Sequence, residues 1–219
     1  MEARLFNYYH NIKHMSKQKI LQQGAEATII LEKNNVLKKR MKKSYRIEEI
    51  DERLRKTRTK KETNLLEKSS LIINSPKPLK TNNKFEIKIP YIKGKKLSEH
   101  FDKLPKKLAK EVCKKIGQNI AKLHDNNIMH GDLTTSNIIL DKNNNIWFID
   151  FGLGFHSERI EDKSVDLHLI KQALEAKHFK NFRDYWKNIE TGYKFSKNYK
   201  KTLDQLKKVE SRGRYKEKY

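Results

Sequence analysis

The sequence predicts an α+β fold in which a small β-rich N-terminal lobe precedes a larger α-rich C-terminal lobe. Two short apolar runs around an Asn-containing turn, and a later segment that alternates apolar and polar residues, predict a small sheet within the first 92 residues. A strong helical periodicity begins at Leu104, and helical patterns dominate from there onward. A chain of 219 residues is long enough for two small lobes with buried cores.

The N-terminal elements follow in order. Ala27–Glu32 and Val36–Met41 read as strands joined by a turn at residues 33–35, where asparagines tolerate positive φ. A long helix with a narrow apolar stripe is predicted from about residue 47 to residue 69. After loop segments, Lys84–Ile92 alternates apolar and polar residues and predicts a further strand.

The C-terminal elements begin with an amphipathic helix, because apolar residues recur every three to four positions between Leu104 and Leu123. A second hairpin follows, with strands Ile138–Leu140 and Ile146–Ile149. The remaining patterns are helical: Val165–Leu174, Phe179–Ile189 and Thr202–Val209.

These elements suggest a division of the chain into four parts. Residues 1–14 form an N-terminal extension of uncertain order, 15–91 the N-lobe and 92–210 the C-lobe. Residues 211–219 lack apolar periodicity and predict a mobile basic tail.

The chain contains 50 lysines and arginines against 27 aspartates and glutamates, a formal net charge of +23. Basic clusters interleaved with tyrosine favour nucleic-acid contact over a merely solvated lysine-rich surface.

The one cysteine, Cys113, excludes an intramolecular disulfide and a thiolate-rich zinc site, and its apolar helical setting predicts a buried structural thiol. No apolar run is long enough for a membrane span, so we expect a soluble, cytoplasmic protein.

The second hairpin and the residues that flank it contain the candidates for a catalytic site. His130-Gly131-Asp132 precedes it, Asn137 opens it, and Asp150-Phe151-Gly152 closes it. Because a hairpin brings its ends together, two carboxylates and an amide oxygen should converge on one point. Such a set suits Mg²⁺ and phosphoryl transfer. A lone D-F-G would mean only the end of a strand, but the combined spacing favours a catalytic site.

The same pattern predicts partners upstream. A phosphate-binding lysine should lie in the second strand of the first hairpin, where Lys38 stands. An acidic residue on the following helix should pair with it, and Glu62 is the best candidate; the alternatives nearer the helix start are Glu48, Glu49, Asp51 and Glu52. A loop at Gly24-Ala25-Glu26 could cover a nucleotide, although it holds one glycine instead of three.

With these residues placed, the chain resembles a protein-kinase-like fold and, more closely, the PRPK family of small atypical kinases of the KEOPS/EKC complex. The resemblance covers roughly residues 20–215, and the His130–Asn137 string is its most specific part. The matching stretches are G-A-E-A (Gly24–Ala27), L-K-K-R-x-x-K-x-Y-R (Leu37–Arg46), R-T-x-x-E (Arg58–Glu62), H-G-D-L-T-T-S-N (His130–Asn137), I-D-F-G-L-G (Ile149–Gly154) and E-D-K-x-V-D-L (Glu161–Leu167).

The resemblance implies ATP binding with Mg²⁺, serine autophosphorylation and ATP hydrolysis in support of a partner. That partner is the threonylcarbamoyltransferase subunit of KEOPS, which modifies the adenosine next to the anticodon of tRNA. A small regulatory subunit is implied as well. We expect tRNA to contact the basic patches and the C-terminal tail, and we expect no membrane partner.

The resemblance also implies roles for individual residues. Lys38 would bind phosphate and Glu62 would hold Lys38. Asp132 would be the catalytic carboxylate, while Asn137 and Asp150 would ligate the metal. The backbone of the Gly24-Ala25-Glu26 loop would approach the nucleotide.

Three departures from the usual kinase pattern are informative. Gly131 replaces the arginine that reads a phosphorylated activation loop, and only about a dozen residues separate Gly154 from Asp166. Without that loop, the enzyme should be constitutively formed or switched by a partner. The chain also lacks an A-P-E segment, so a specific exogenous protein substrate is not expected. Pro90 lacks an N–H donor, so its carbonyl and the N–H of Ile92 should meet the adenine edge. The resemblance also implies that Asp166 anchors the segment His130–Asn137, the catalytic loop.

Two alternatives remain open. One is a small-molecule phosphotransferase of the aminoglycoside-kinase type, which shares H-G-D but needs a larger acidic substrate pocket. The other is a non-catalytic, basic tRNA-binding scaffold. The complete set of predicted site residues argues against the second alternative.

Overall fold

The computed structural model describes residues 18–214, which contain nine β-strands and six α-helices. The described chain divides into two units, one formed by residues 18–60 and 77–91 and the other by 61–76 and 92–214. The α+β class predicted from the sequence is confirmed. The predicted lobe boundary at residue 91 stays a prediction, and residues 61–76 group with the second unit.

The first unit is built on a four-stranded antiparallel sheet in the order β1-β2-β3-β4. Its strands are β1 (Lys19–Gln23), β2 (Ala27–Glu32), β3 (Asn35–Arg40) and β4 (Glu86–Pro90). The β2–β3 turn has positive φ at Lys33 (54°), so the left-handed residue is a lysine and not one of the neighbouring asparagines. Strand β1 was not predicted, because all five of its side chains are exposed and it has no alternating pattern.

Helix α1 (Glu48–Ser70) begins in the first unit and ends in the second. Three acidic residues occupy its first turn, where they complement the helix dipole: Glu48, Glu49 and Asp51. Asp51 is fully buried and accepts a hydrogen bond from Arg55 at 2.7 Å. The bounds of the helix agree with the predicted range, 47–69, within one residue at each end.

The second unit is mostly helical. Its helices are α2 (Leu97–His100), α3 (Lys106–Asp125), α4 (Ile160–Lys177), α5 (Phe182–Tyr193) and α6 (Tyr199–Arg214). Helices α3 and α5 cross closely because each has a glycine at the contact. A Cβ on Gly117 would lie 2.0 Å from the carbonyl oxygen of Ile189, and one on Gly192 would lie 2.1 Å from that of Lys114.

Two small sheets complete the second unit and position the candidate site. Strands β5 (Gly94–Lys96), β7 (Ile138–Asp141) and β8 (Ile146–Phe148) form one sheet. Strands β6 (Ile128–Met129) and β9 (Phe155–His156) form the other. The predicted second hairpin is therefore present as β7–β8.

The C-terminal end differs from the prediction. Helix α6 continues to Arg214, so residues 211–214 of the predicted tail are helical. Residues 215–219 of the tail, and the predicted extension at 1–14, lie outside the described residues. Within residues 18–214, every helix is too short or too polar to cross a membrane.

Candidate active site

The β7–β8 hairpin brings Asn137 beside the D-F-G segment. Ile138 pairs with Phe148, and the N–H of Ile149 donates to the carbonyl oxygen of Asn137 at 2.9 Å. Asp150 therefore follows directly on the residue that is bonded to Asn137. This is the proximity that the spacing of the two motifs predicts.

Asp132 lies beside Asn137, because the side-chain amide of Asn137 is hydrogen-bonded to it. The Nδ2 group of Asn137 donates to the backbone oxygen of Asp132 at 2.9 Å and to its Oδ2 at 2.8 Å. Because the amide nitrogen is committed to Asp132, the amide oxygen is the end of the side chain that can face a cation. Asp132, Asn137 and Asp150 are thus gathered at one end of the hairpin.

Asp150 has an unusual backbone conformation, with φ +64°. Left-handed conformations are strained for a non-glycine residue and concentrate at functional sites. The Oδ1 atom of Asp150 accepts the N–H of Gly152 at 3.1 Å, which stabilises the turn. The next residue, Phe151, is fully buried, with its ring centroid 4.5 Å from that of His130. The D-F-G segment is therefore held in place by a buried ring.

His130 connects the catalytic loop to the D-F-G segment. Its Nε2 lies 3.1 Å from the carbonyl oxygen of Ile149 and must donate there, so its Nδ1 can accept the N–H of Asp132 at 3.4 Å. Burial lowers the pKa of His130, against the opposing pull of the Asp166 carboxylate. A neutral imidazole fits this pair of hydrogen bonds.

Asp166 on α4 anchors the start of the catalytic loop, as the resemblance implies. Its carboxylate accepts the backbone N–H groups of His130 at 2.6 Å and Gly131 at 2.8 Å. Burial alone would raise the pKa of Asp166, but the hydrogen bonds that it accepts from the His124 ring and from the backbone N–H of His130 outweigh burial and lower it. The loop is held through its backbone.

The structure explains why residue 131 is glycine. Its φ is +77°, and a Cβ added there would lie 2.3 Å from the carbonyl oxygen of Leu153. An arginine is therefore excluded by the backbone itself. The segment after D-F-G pairs at once with the chain before the catalytic loop, through Ile128 with His156 and Met129 with Phe155.

The first unit holds the predicted phosphate lysine and the glycine loop. Lys38 is half-buried in the central strand β3, opposite Ile29 of β2 and Ile87 of β4. Gly24, Ala25 and Glu26 form the exposed β1–β2 connection, where the Gly24 N–H donates to the carbonyl oxygen of Ala27 at 3.0 Å.

Cationic side chains hold this loop. The Oε2 atom of Glu26 lies 2.5 Å from Nη1 of Arg58, and its Oε1 lies 3.9 Å from Nη2 of Arg46. Lys43 Nζ donates to the backbone oxygen of Ala25. Arg58 belongs to a string that matches the family, but no local pattern indicated its contact with Glu26.

The remaining predicted residues stand at element ends or on helix α1. Pro90 is the last residue of β4 and pairs with Asn35. Ile92, two residues later, belongs to the second unit. Glu62 is almost fully buried and belongs to the part of α1 that groups with the second unit. The expected pairing of Lys38 with Glu62, and the adenine contacts of Pro90 and Ile92, stay predictions.

The donor set fits a magnesium ion that is shared with a phosphate. Two carboxylates and an amide oxygen are hard oxygen ligands, and Mg²⁺ usually takes one or two carboxylates plus water and substrate oxygens. Within residues 18–214, no three His, Cys, Asp or Glu side chains gather into a self-sufficient metal site. Beside Asp150 and the amide oxygen of Asn137, water and nucleotide oxygens would complete the coordination.

A hydrogen-bonded group of polar residues behind the catalytic loop was not predicted from the sequence. Its members are Asp102, Thr135 and His178, which contact one another by hydrogen bonds. Only Thr135 lies within a recognised motif. The other two are isolated polar residues in helical surroundings, so no local pattern could have indicated them.

Comparisons with known proteins agree with this geometry. A protein kinase domain model matches residues 15–167. The KEOPS complex subunit Bud32 of Pyrococcus abyssi is 38% identical over 214 residues, which cover 91% of this chain and 97% of that protein. The EKC/KEOPS complex subunit BUD32 of Enterocytozoon bieneusi is 38% identical over 210 residues, covering 90% of this chain and 99% of that protein.

A longer relative and a solved structure extend the comparison. The probable bifunctional tRNA threonylcarbamoyladenosine biosynthesis protein of Methanobrevibacter smithii is 42% identical over 205 residues, and this chain spans 36% of its length. The solved gentamicin–APH(2″)-IIa complex matches with a TM-score of 0.53, covering 94% of this chain and 96% of that one at 14% identity. At that identity the likeness concerns the fold alone. The chain therefore belongs to the protein kinase domain family, whose members are ATP-binding phosphotransferases, and within it to the group of relatives named KEOPS complex subunit Bud32.

Proposed function

We propose that this chain is the kinase and ATPase subunit of a cytoplasmic KEOPS complex. It hydrolyses Mg-ATP and phosphorylates its own serine residues, and it supports threonylcarbamoyladenosine modification of tRNA next to the anticodon. The observation that supports this most is the gathering of Asp132, Asn137 and Asp150 at one hairpin end, in a chain 38% identical to a KEOPS subunit over nearly its whole length.

The proposal assigns the binding roles as follows. Asp150 and the amide oxygen of Asn137 hold Mg²⁺, which neutralises charge on the nucleotide phosphates when it is bound. Lys38 binds phosphate and Glu62 holds Lys38. The backbone of residues 24–26 approaches the phosphates, where Arg46 and Arg58 offset the charge of Glu26. The Pro90 carbonyl and the Ile92 N–H meet the adenine edge.

Asp132 is the catalytic carboxylate. It orients a water molecule or a serine hydroxyl and accepts its proton, while the oxygen forms a bond to the γ-phosphorus and the bond to the bridging oxygen of ADP breaks. The products are ADP with phosphate or phosphoserine. Because Oδ2 of Asp132 accepts from Asn137 at 2.8 Å, Oδ1 is the atom assigned to the proton.

The partners in this proposal are the threonylcarbamoyltransferase subunit, a small regulatory subunit and tRNA. The net charge of +23 supports contact with a phosphate backbone. Residues 211–219 are the tail segment assigned to tRNA. Since Gly131 excludes an arginine that could read a phosphorylated loop, the proposal places regulation with the transferase subunit.

The proposal is tested by measuring ATP hydrolysis by the purified chain, with and without the transferase subunit and tRNA. We expect turnover to depend on Mg²⁺ and to rise with the transferase subunit and tRNA. The Asp150→Ala variant should lose turnover yet keep tRNA affinity, whereas Asp204→Ala, an exposed carboxylate on α6, should behave as wild type. Loss of turnover in both variants without unfolding would contradict the assignment.

Deletion of residues 211–219 separates the tRNA contact from the chemistry. We expect weaker tRNA binding and a shallower salt dependence, with basal ATP hydrolysis unchanged. A gentamicin-like or sugar substrate that accelerates turnover more than the transferase subunit does would favour the small-molecule alternative. Absence of Mg-ATP turnover in the assembled complex would favour the non-catalytic scaffold.

A further inference from the structure

A chain of three hydrogen-bonded side chains runs behind the catalytic loop, within the second unit. The Oδ2 atom of Asp102 lies 2.7 Å from Nδ1 of His178, and Nε2 of His178 lies 3.2 Å from Oγ1 of Thr135. Thr135 lies two residues before Asn137. These hydrogen bonds therefore link the partly exposed carboxylate of Asp102 to the segment that ends at Asn137, a proposed metal ligand.

Further contacts hold these side chains in place. Asn181 donates to Oδ1 of Asp102 at 2.9 Å, and His178 is bonded to the end of helix α4 through Leu174 at 2.8 Å. The ring of Phe101 packs edge-on against His178, with centroids 5.5 Å apart. The His178 ring therefore cannot turn away from Thr135 without losing its hydrogen bond with Asp102 and its contact with Phe101.

The arrangement has the order of a carboxylate–imidazole–hydroxyl triad, but burial excludes nucleophilic chemistry. Thr135 is 1% exposed and His178 is 2% exposed, so neither can reach a substrate. What the imidazole can do is hold the threonine hydroxyl, and with it the local backbone.

That backbone is the 3₁₀ turn Thr135–Asn137, which ends at Asn137. Helix α4 and the residue at its C-terminal end therefore hold the catalytic loop at two places, through Asp166 at its start and His178 near its end. We propose that His178, oriented by Asp102, is a positioning residue that fixes Asn137 for metal binding through Thr135. The inference rests on the metal role given to Asn137 under the proposed function.

The test measures Mn²⁺ binding to the folded protein in the presence of a non-hydrolysable ATP analogue, together with thermal unfolding. Thr135→Val keeps the side-chain shape and removes the hydroxyl, whereas Thr135→Ser keeps the hydroxyl. His178→Asn retains an amide near the position of Nδ1, and His178→Gln one near that of Nε2. The matched control is Thr191→Val on the exposed face of α5.

We expect Thr135→Val and His178→Asn to bind Mn²⁺ roughly tenfold more weakly, as is typical when support behind a metal ligand is lost. Thr135→Ser and the control should bind Mn²⁺ with nearly wild-type affinity, whereas His178→Gln, which keeps a group near Nε2 but loses the contact with Asp102, should fall between wild type and His178→Asn. A merely structural role would lower the unfolding temperature of Thr135→Val without changing its Mn²⁺ affinity. That result would overturn the inference.

A further variant covers the case in which a core substitution prevents folding. Asp102 is 42% exposed, so Asp102→Asn should fold, and we expect it to weaken Mn²⁺ binding in the same direction. Wild-type Mn²⁺ affinity in this variant, when Thr135→Val fails to fold, would also overturn the inference. Wild-type and Asp150→Ala proteins are measured in parallel, and equal Mn²⁺ binding by these two would instead overturn the proposed function.

Discussion

The carboxylate of Asp166 accepts the backbone N–H of Gly131 at 2.8 Å, across 35 residues of sequence. Its other oxygen accepts the N–H of His130 at 2.6 Å. A buried carboxylate is stable only when its charge is met by donors of this kind. The catalytic loop and helix α4 therefore depend on each other for stability as well as for geometry.

Replacing Asp166 by asparagine should destabilise the protein. The amide oxygen could accept only one of the two backbone N–H groups and the NH2 group would face the other donor, so we expect a loss of about 2–4 kcal/mol in the free energy of unfolding. Urea denaturation at neutral pH measures this change. Asp204→Asn, at an exposed position on α6, is the matched control and should change the free energy little. Equal effects of the two substitutions would contradict the anchoring role.

The lowered pKa of Asp166 predicts a pH dependence. Because the folded state binds its proton less readily than the unfolded state, the stabilisation is complete above the unfolded pKa near 3.8 and is lost as pH falls through the folded value. Wild-type stability should therefore fall more steeply below about pH 4 than that of Asp166→Asn. Parallel slopes for the two proteins would show that Asp166 is not responsible.

Gly131→Ala should be strongly destabilising. The φ of +77° disfavours any side chain, and the added Cβ would lie 2.3 Å from the carbonyl oxygen of Leu153. Strain and overlap together predict a loss of roughly 2–4 kcal/mol in the free energy of unfolding. Gly24→Ala is the stability control, because its Cβ would meet Ala27 at an ordinary 3.5 Å. A Gly131→Ala protein as stable as Gly24→Ala would contradict the described conformation.

Arg58→Ala should alter nucleotide binding more than stability. The ion pair with Glu26 joins exposed side chains and should contribute no more than about 1 kcal/mol. Without Arg58, the Glu26 carboxylate would repel phosphates that approach the glycine loop, so we expect a KM for ATP that is roughly fivefold higher. The double variant Glu26→Gln/Arg58→Ala should recover the original KM. Failure to recover would show that Arg58 acts on ATP by another route.

Cys113 provides a clean reporter of unfolding. The thiol is fully buried, and desolvation raises its pKa to about 12. Since the thiolate is the reactive form, a disulfide reagent at about pH 8 should label native protein only as fast as it unfolds. Adding denaturant should release one reactive thiol per chain, because the sequence holds one cysteine. Rapid labelling of the native protein would contradict this burial.

The elements that sequence analysis predicted best are those fixed by local pairing. Strand β2 has the predicted bounds, Ala27–Glu32, because its apolar run and the following turn define both ends. The gathering of Asn137 and Asp150 was predictable for the same reason, since a short hairpin leaves little freedom in register. In both cases the decisive contacts are local: β2 pairs with β3 across a short turn, and Asn137 bonds Ile149, 12 residues further along the chain.

The features that were missed depend on distant contacts or on exposed surfaces. Strand β1 joins the sheet at an edge with every side chain exposed, so no hydrophobic pattern indicates it. Asp102 and His178 are 76 residues apart and meet only because the second unit folds. Helix α6 continues through residues 211–214 although that segment lacks apolar periodicity.

The buried ring of Phe151 has a consequence for inhibitor design. Its centroid lies 4.5 Å from that of His130, and the neighbouring Gly154 is tightly packed, since a Cβ there would lie 3.0 Å from Met129 O and from Leu65 Cδ1. Moving this phenyl group into water would cost about 1.5–3 kcal/mol of hydrophobic free energy. A compound that requires this movement would therefore bind roughly 10- to 150-fold more weakly. Screening campaigns against this protein should therefore favour compact molecules that leave the phenylalanine in place.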